Sequence, residues 1–228
     1  MVHPKLYSIQ LVNLRGEIIH SYLKSALERR GLNFICATPS EDDFENEYFQ
    51  KPDFNSVFHF ENEAYIATLI YQPVIYSDKA GMTGLYRSSN KAINRNQLNL
   101  FSIRNVKTEN CCYTPDYYLS IENRNTGKRR VMLFDAKNKS STDVANADIY
   151  EIIFKYQLSL KKVENSFDFV GIDIICGSYQ GATCLSPFCN IRNPVDHSIC
   201  EDFVGIQTFS IDSQDCMQIH LRDSLFSD

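Results

Sequence analysis

No apolar run among these 228 residues reaches membrane-spanning length, and Met1 to Gln10 lacks the apolar core of a signal peptide. The expectation is a cytoplasmic protein with no membrane partner. The phosphate-cradling patterns G-x-x-x-x-G-K-[ST] and G-x-G-x-x-G are missing, which excludes nucleotide binding by those routes. There is also no G-x-S-x-G, so no serine nucleophile elbow is expected. Positive charge is in short supply, with 23 Lys and Arg against 28 Asp and Glu and a formal net charge of −5. A broadly basic nucleic-acid coat is thereby excluded, and any such contact must use a local patch. Tryptophan is absent as well, which decides nothing. Eight cysteines without an export signal read as reduced thiols rather than a disulfide framework. What is present, 43% hydrophobic and 22% charged residues, suits one domain over residues 1–228 with a sizeable core.

The most pointed chemistry lies between Thr114 and Lys139. Tyr117, Leu119 and Ile121 alternate with Tyr118, Ser120 and Glu122, and after a turn at Asn123 to Lys128 an apolar run, Val131 to Phe134, leads into Asp135, Ala136 and Lys137. A hairpin centred near Asn125 or Thr126 sets Asp116 opposite roughly residue 136, so Asp135 and Lys137 flank it on the neighbouring strand. Period-two alternation gives Asp135 and Lys137 one face and Ala136 the other. Two converging carboxylates beside an ammonium are costly unless a cation compensates them. Mg²⁺ or Mn²⁺ is suited to that role, taking one or two carboxylates with water and phosphate oxygens completing the shell. The lysine can then orient water and offset charge on a phosphate. The bland alternative is a surface hairpin with an ordinary Asp-Lys pair.

Elsewhere, Leu14 to Arg30 has helical spacing at Ile18, Tyr22, Leu23, Ala26 and Leu27, and Gly31 ends it. Glu17 falls in its first turn, where a carboxylate also favours the helix dipole. Leu32 to Ala37 reads as a short strand, and Ser56 to Phe60 with Ala64 to Tyr76 as a second hairpin. Ser77 to Cys112 carries six basic residues against two acidic ones, a local balance of +4. Arg87, Lys91 and Arg95 are its candidate phosphate contacts; the competing reading is a solvated insertion. Asn146 to Lys162 is a second predicted helix, with Ile149, Ile152, Ile153, Tyr156 and Leu160 as its apolar face and Lys161 and Lys162 at its end. Phe167 to Cys176 reads as a strand covered on both faces, interrupted by Asp173. Phe203 to Ile211 looks like a further strand, and Cys216 to Leu225 a closing strand or helix. Cys184, Cys189, His197 and Cys200, spaced C-x4-C-x7-H-x2-C, are ligand types zinc accepts, although cysteines are also common core fillers.

Pro115-Asp116 followed by Asp135-Ala136-Lys137 resembles the PD-(D/E)xK signature of the restriction-endonuclease-like nucleases. Gly16 to Ile19 on the first helix and Leu69-Ile70-Tyr71-Gln72-Pro73 after the second hairpin make it most similar to the McrC-like branch. The likeness covers about residues 14 to 176, with 177 to 228 as a C-terminal extension. It implies an α/β restriction-endonuclease-like core, a mixed central sheet flanked by helices and enlarged by an extra β-hairpin. It also implies a metal-dependent DNA endonuclease of restriction or anti-phage type, leaving 5′-phosphate and 3′-hydroxyl ends. Asp116 and Asp135 would hold the metal, Lys137 would act on water, and Glu17 would point at the metal. Lys155 and Tyr156 would support the site, Lys155 also reaching DNA. The resemblance further implies an NTP-driven motor subunit as partner, leaves a homodimer open, and departs from this chain at Asn138, where an aromatic often follows the lysine. A non-catalytic module of the same fold, binding DNA or a protein, is the competing class.

Overall fold

In the computed structural model, residues 19–39, 56–76, 81–87, 112–137, 139–163, 167–178, 185–187, 204–210 and 219–227 are described. Helix α1 (residues 19–29) presents Ile19, Leu23, Ala26 and Leu27 at three-to-four spacing, and all four are buried. It ends where the sequence predicts. Gly31 adopts φ 77°, a left-handed conformation that an L side chain rarely takes, and its N–H donates to the Glu28 carbonyl at 2.9 Å.

Among the described residues twelve strands follow: β1 (Asn33–Pro39), β2 (Ser56–Glu61), β3 (Tyr65–Tyr71), β4 (Ile75–Tyr76), β5 (Leu85–Arg87), β6 (Cys112–Tyr113), β7 (Tyr117–Asn123), β8 (Arg129–Lys137), β9 (Leu160–Lys162), β10 (Asp168–Ser178), β11 (Leu185–Pro187) and β12 (Val204–Ser210). Eight of them make one mixed sheet in the order β1-β2-β3-β7-β8-β10-β12-β11, while β4 pairs with β6 and β5 with β9. From β1 to β8 every neighbour is antiparallel, as hairpin connections require; β10 lies parallel to both β8 and β12. The chain is thus a mixed α/β fold with few helices.

The parallel step from β8 to β10 needs a crossover, and helix α2 (residues 141–158) supplies it. Ser140 caps its start, accepting from the Asp143 N–H at 3.1 Å, so the helix begins five residues before the predicted Asn146. Ordinary α turns at Ser141–Asp143 and Ile149–Ile152 alternate with wider π turns at Val144–Asp148 and Ile153–Leu158. The predicted extension to Lys162 does not occur. Both the N–H and the hydroxyl of Ser159 donate to the Phe154 carbonyl, at 3.1 and 2.6 Å, and Lys161 and Lys162 lie instead on β9, paired with Tyr86 and Leu85.

Apolar side chains pack on both faces of the sheet. Against α1 lie Phe60, Leu69, Leu119, Met132, Phe134 and Ile175. Against α2 lie Ile70, Tyr118, Leu133, Ile172, Ile174 and Val204. Strand β10 contributes to both clusters, as its nearly continuous apolar sequence predicts.

Residues 219–227 form no closing strand or long helix, only a 3₁₀ turn at Asp223–Leu225. Ile219, Leu221 and Leu225 join the α1-side cluster, and Arg29 and Arg30 donate to the carbonyls of Ile219 and Leu221 at 2.9 and 3.0 Å. The interruption at Asp173 is explained here. Its carboxylate is 0% exposed and accepts from Arg222 Nε at 3.1 Å and from Gln207 Nε2 at 2.7 Å, while Gln207 also brackets the His220 backbone. Removing one partner of a buried ion pair strands the other charge. Arg222→Met should therefore cost about 3–5 kcal/mol in urea unfolding, and adding Asp173→Asn should recover much of that loss. An additive double mutant would show that the pair is not a stabilising unit.

Candidate active site

The β7–β8 hairpin sets the site's framework. Asn123 Oδ1 accepts from the N–H groups of Asn125 and Thr126 at 2.9 and 3.2 Å, and Gly127 turns the chain at φ 67°. The register that follows pairs Tyr117 with Phe134. Asp116, one residue before β7, is thereby level with Asp135, one position from the sequence expectation. Its Oδ2 accepts from the Ala136 N–H at 2.6 Å, so this carboxylate is folded onto β8. The Asp116 carbonyl accepts from the Gln72 N–H at 2.8 Å. Gln72 itself sits at φ 48°, a left-handed backbone costing about 1–3 kcal/mol, at the point where β3 leaves the sheet beside Asp116.

Asp135 follows Val131 and Leu133 on the α2 side of β8. It is buried and forms an ion pair with the Lys137 ammonium, whose side chain remains 30% exposed. Beyond that pairing, Asp135 Oδ1 accepts no hydrogen bond. From α2, Tyr156 reaches the site at 1% exposure, near enough to Asp135 and Asp116 for both carboxylates to act on its hydroxyl. The Lys155 ammonium lies 4.8 Å from the Tyr156 ring centre and 5.4 Å from that of Tyr113.

These surroundings shift the ionisable groups in different directions. Burial, reinforced by the Asp135 charge, pushes Asp116 up to about 6, against the opposing pull of the Ala136 N–H, Lys137 and Lys155. Burial alone would lower Lys137, but the adjoining Asp135 carboxylate and its hydrogen bond, with Asp116 and Asp148, outweigh it and raise the ammonium above its ordinary range. Lys155 goes the other way. Burial and the Lys137 charge lower it despite Asp135, Glu151 and Asp116. Tyr156 is driven far up, by burial first and then by the two carboxylates, so it stays a neutral hydrogen-bond donor.

The donor set fits a hard divalent cation. Two carboxylates repel each other between neighbouring strands, and Asp135 Oδ1 accepts nothing beyond its ion pair with Lys137, so the cluster offers hard oxygen donors beside the Lys137 and Lys155 ammoniums. Among the described residues no group of three or more His, Cys, Asp or Glu gathers, so these two carboxylates are the protein donors on view. Glu17, Lys91, Arg95 and the proposed zinc set Cys184, Cys189, His197 and Cys200 lie outside the described residues.

Arg87 departs from the sequence expectation. It is 2% exposed, with its guanidinium carbon 4.1 Å from the Tyr113 ring centre, because the β5–β9 pairing turns it into the protein instead of toward solvent. The Tyr156 hydroxyl contact was legible only in part. A tyrosine on an otherwise aliphatic helix face is the signal, since a buried hydroxyl needs a partner. The nearby pair of Lys139 with buried Asp148, at 2.7 and 2.9 Å, carried no sequence signal.

The raised Asp116 gives a pH dependence of definite sign. An acid with a higher pKa folded than unfolded contributes stability fully present below its unfolded value near 3.8 and lost as pH rises through about 6. Metal-free protein should lose on the order of 3 kcal/mol across that window in chemical denaturation, and Asp116→Asn should flatten the slope. Added Mg²⁺ or Mn²⁺ should restore stability most at the alkaline end; a cation effect equal at both ends would count against coordination by Asp116. Comparison with protein-family models, curated proteins and solved structures finds no match.

Proposed function

We propose that this protein is a metal-dependent nuclease that hydrolyses phosphodiester bonds in DNA, with Asp116 and Asp135 as metal ligands. The observation that carries the reading is the pair of mutually repelling carboxylates, Asp116 just before β7 and Asp135 on β8, with Lys137 ion-paired to Asp135 and the buried Tyr156 beside them. Further support comes from the order of elements around the site. A helix, five antiparallel strands ending in the site hairpin, a crossover helix and a parallel strand contain the order of elements that a restriction-endonuclease-like core, enlarged by an extra hairpin, would require.

A bound Mg²⁺ would supply charge neutralisation at the phosphate and a more acidic water. The chain's own groups divide the remaining work. Tyr156, buried beside Asp135 and held neutral, offers that carboxylate a hydroxyl. Lys137, held by Asp135 and partly exposed, stays charged and can orient water and offset charge developing on the phosphate oxygens. Lys155 gives up its proton more readily than an ordinary lysine, so it is the better placed of the two to exchange a proton with the attacking water. Attack on phosphorus would break the bond to the 3′ oxygen and leave 5′-phosphate and 3′-hydroxyl ends. By the same resemblance, the setting would be restriction or anti-phage defence beside an NTP-driven motor.

Plasmid cleavage with Mg²⁺, Mn²⁺ or EDTA is the direct test. Lys137→Ala should lower the rate by a factor on the order of 10² or more while leaving cation binding intact, as loss of a transition-state interaction does. Asp116→Asn should weaken cation binding itself. If wild-type protein binds DNA but cuts nothing with any cation, a non-catalytic binding module replaces the enzyme. If Lys137→Ala cuts like wild type, the active site lies elsewhere.

A further inference from the structure

The outward side of α2 carries an apolar stripe that no described residue covers. Tyr150 is 68% exposed, Phe154 41% and Leu158 60%; they are three of the seven exposed large hydrophobic residues among those described. Their spacing of four keeps them on one side of the helix, opposite the buried Ile149, Ile152 and Tyr156. Ala147, one turn before Tyr150, is also exposed and leaves room for close approach. Charge is unevenly distributed along this face. Asp143 and Glu151, both exposed, lie in its first two-thirds, and Lys161, exposed on β9, follows three residues past its end, its side chain in no ion pair among the described residues.

We propose that this stripe docks against the same stripe of a second copy of the chain, the two α2 helices running antiparallel about a two-fold axis near Phe154. Charge favours that arrangement, because a parallel pairing would set Asp143 against Asp143 and Lys161 against Lys161. Tyr150 of each copy meets Leu158 of the other, the two Phe154 rings meet at the axis, and Lys161 comes over the acidic start of the partner helix beside Ala147. Antiparallel packing also opposes the two helix dipoles. Nucleic acid is the less suitable occupant despite the exposed aromatics, because the carboxylates of Asp143 and Glu151 flank them and would repel phosphates. The contact uses the side of α2 turned away from Tyr156 and Asp135, so it does not depend on the nuclease reading.

Sedimentation velocity of the full chain, from low to high micromolar concentration, tests this. Wild-type protein should pass from monomer to dimer. Leu158→Glu and Tyr150→Glu should each weaken the dimer by a factor on the order of ten or more, since each buries an unpaired charge at the contact. Circular dichroism melting at a concentration where the wild type is monomeric should be unchanged for these two well-exposed positions. Lys161→Glu and Asp143→Lys should each weaken association at low salt, and the combined swap should recover part of it. A wild-type chain that stays monomeric throughout overturns the proposal, as does a dimer indifferent to Leu158→Glu and Tyr150→Glu. Stripe variants that lose DNA binding while the protein stays monomeric also overturn it and reassign the face to base stacking.

Discussion

Everything proposed for the site depends on the register of one antiparallel strand pair. With Tyr117 opposite Phe134, Asp116 meets β8 at Asp135 and can accept the Ala136 N–H. Because side chains alternate along a strand, a slip of one residue would turn Asp135 to the α1 side of the sheet and bring Ala136 to the α2 side. The Asn123 turn and the buried runs on both strands fix that register together. Slippage would exchange Val131 and Leu133 with Met132 and Phe134 between the two packed faces at the same time as it dismantled the carboxylate pair. Stability and chemistry are therefore enforced by the same contacts.

Local patterns carried most of what the sequence revealed. Helix α1 ended at its glycine, both hairpins formed, and β10 was covered on both faces, because each of these follows from short-range periodicity or a turn residue. What failed depended on partners distant in sequence. Lys161 and Lys162 read as a basic helix end, yet pairing with β5, some seventy-five residues earlier, drew them into a strand. The same pairing buried Arg87, which composition alone had assigned to a solvated basic stretch. Asp173 looked like a break in an apolar strand until Gln207 and Arg222 arrived from later in the chain to satisfy it.

The site shows the same division. Asp116, Asp135 and Lys137 are close in sequence and were legible from spacing. Tyr156 was legible as an apolar position but not as a neighbour of Asp135, since the crossover geometry that brings α2 over β8 has no local signature. The opposite shifts of Lys137 and Lys155 are likewise a property of burial and neighbours. Two lysines that look interchangeable in the sequence acquire different proton affinities from their positions.

The π turns of α2 make that arrangement sensitive to residue count as well as residue identity. Lys155 and Tyr156 lie inside the turn Ile153–Leu158, which holds one more residue per hydrogen-bonded loop than an α turn. Each residue of an α-helix advances its side chain by about 100° around the axis. A chain one residue shorter here would still close as a helix, with its composition and hydrophobicity almost unaltered. It would nonetheless swing one half of α2 against the other, so that Tyr156 and the outward stripe could no longer both keep their bearings. Single-residue deletion in this turn is thus a change that leaves the scaffold recognisable and disconnects the two faces of the helix from each other.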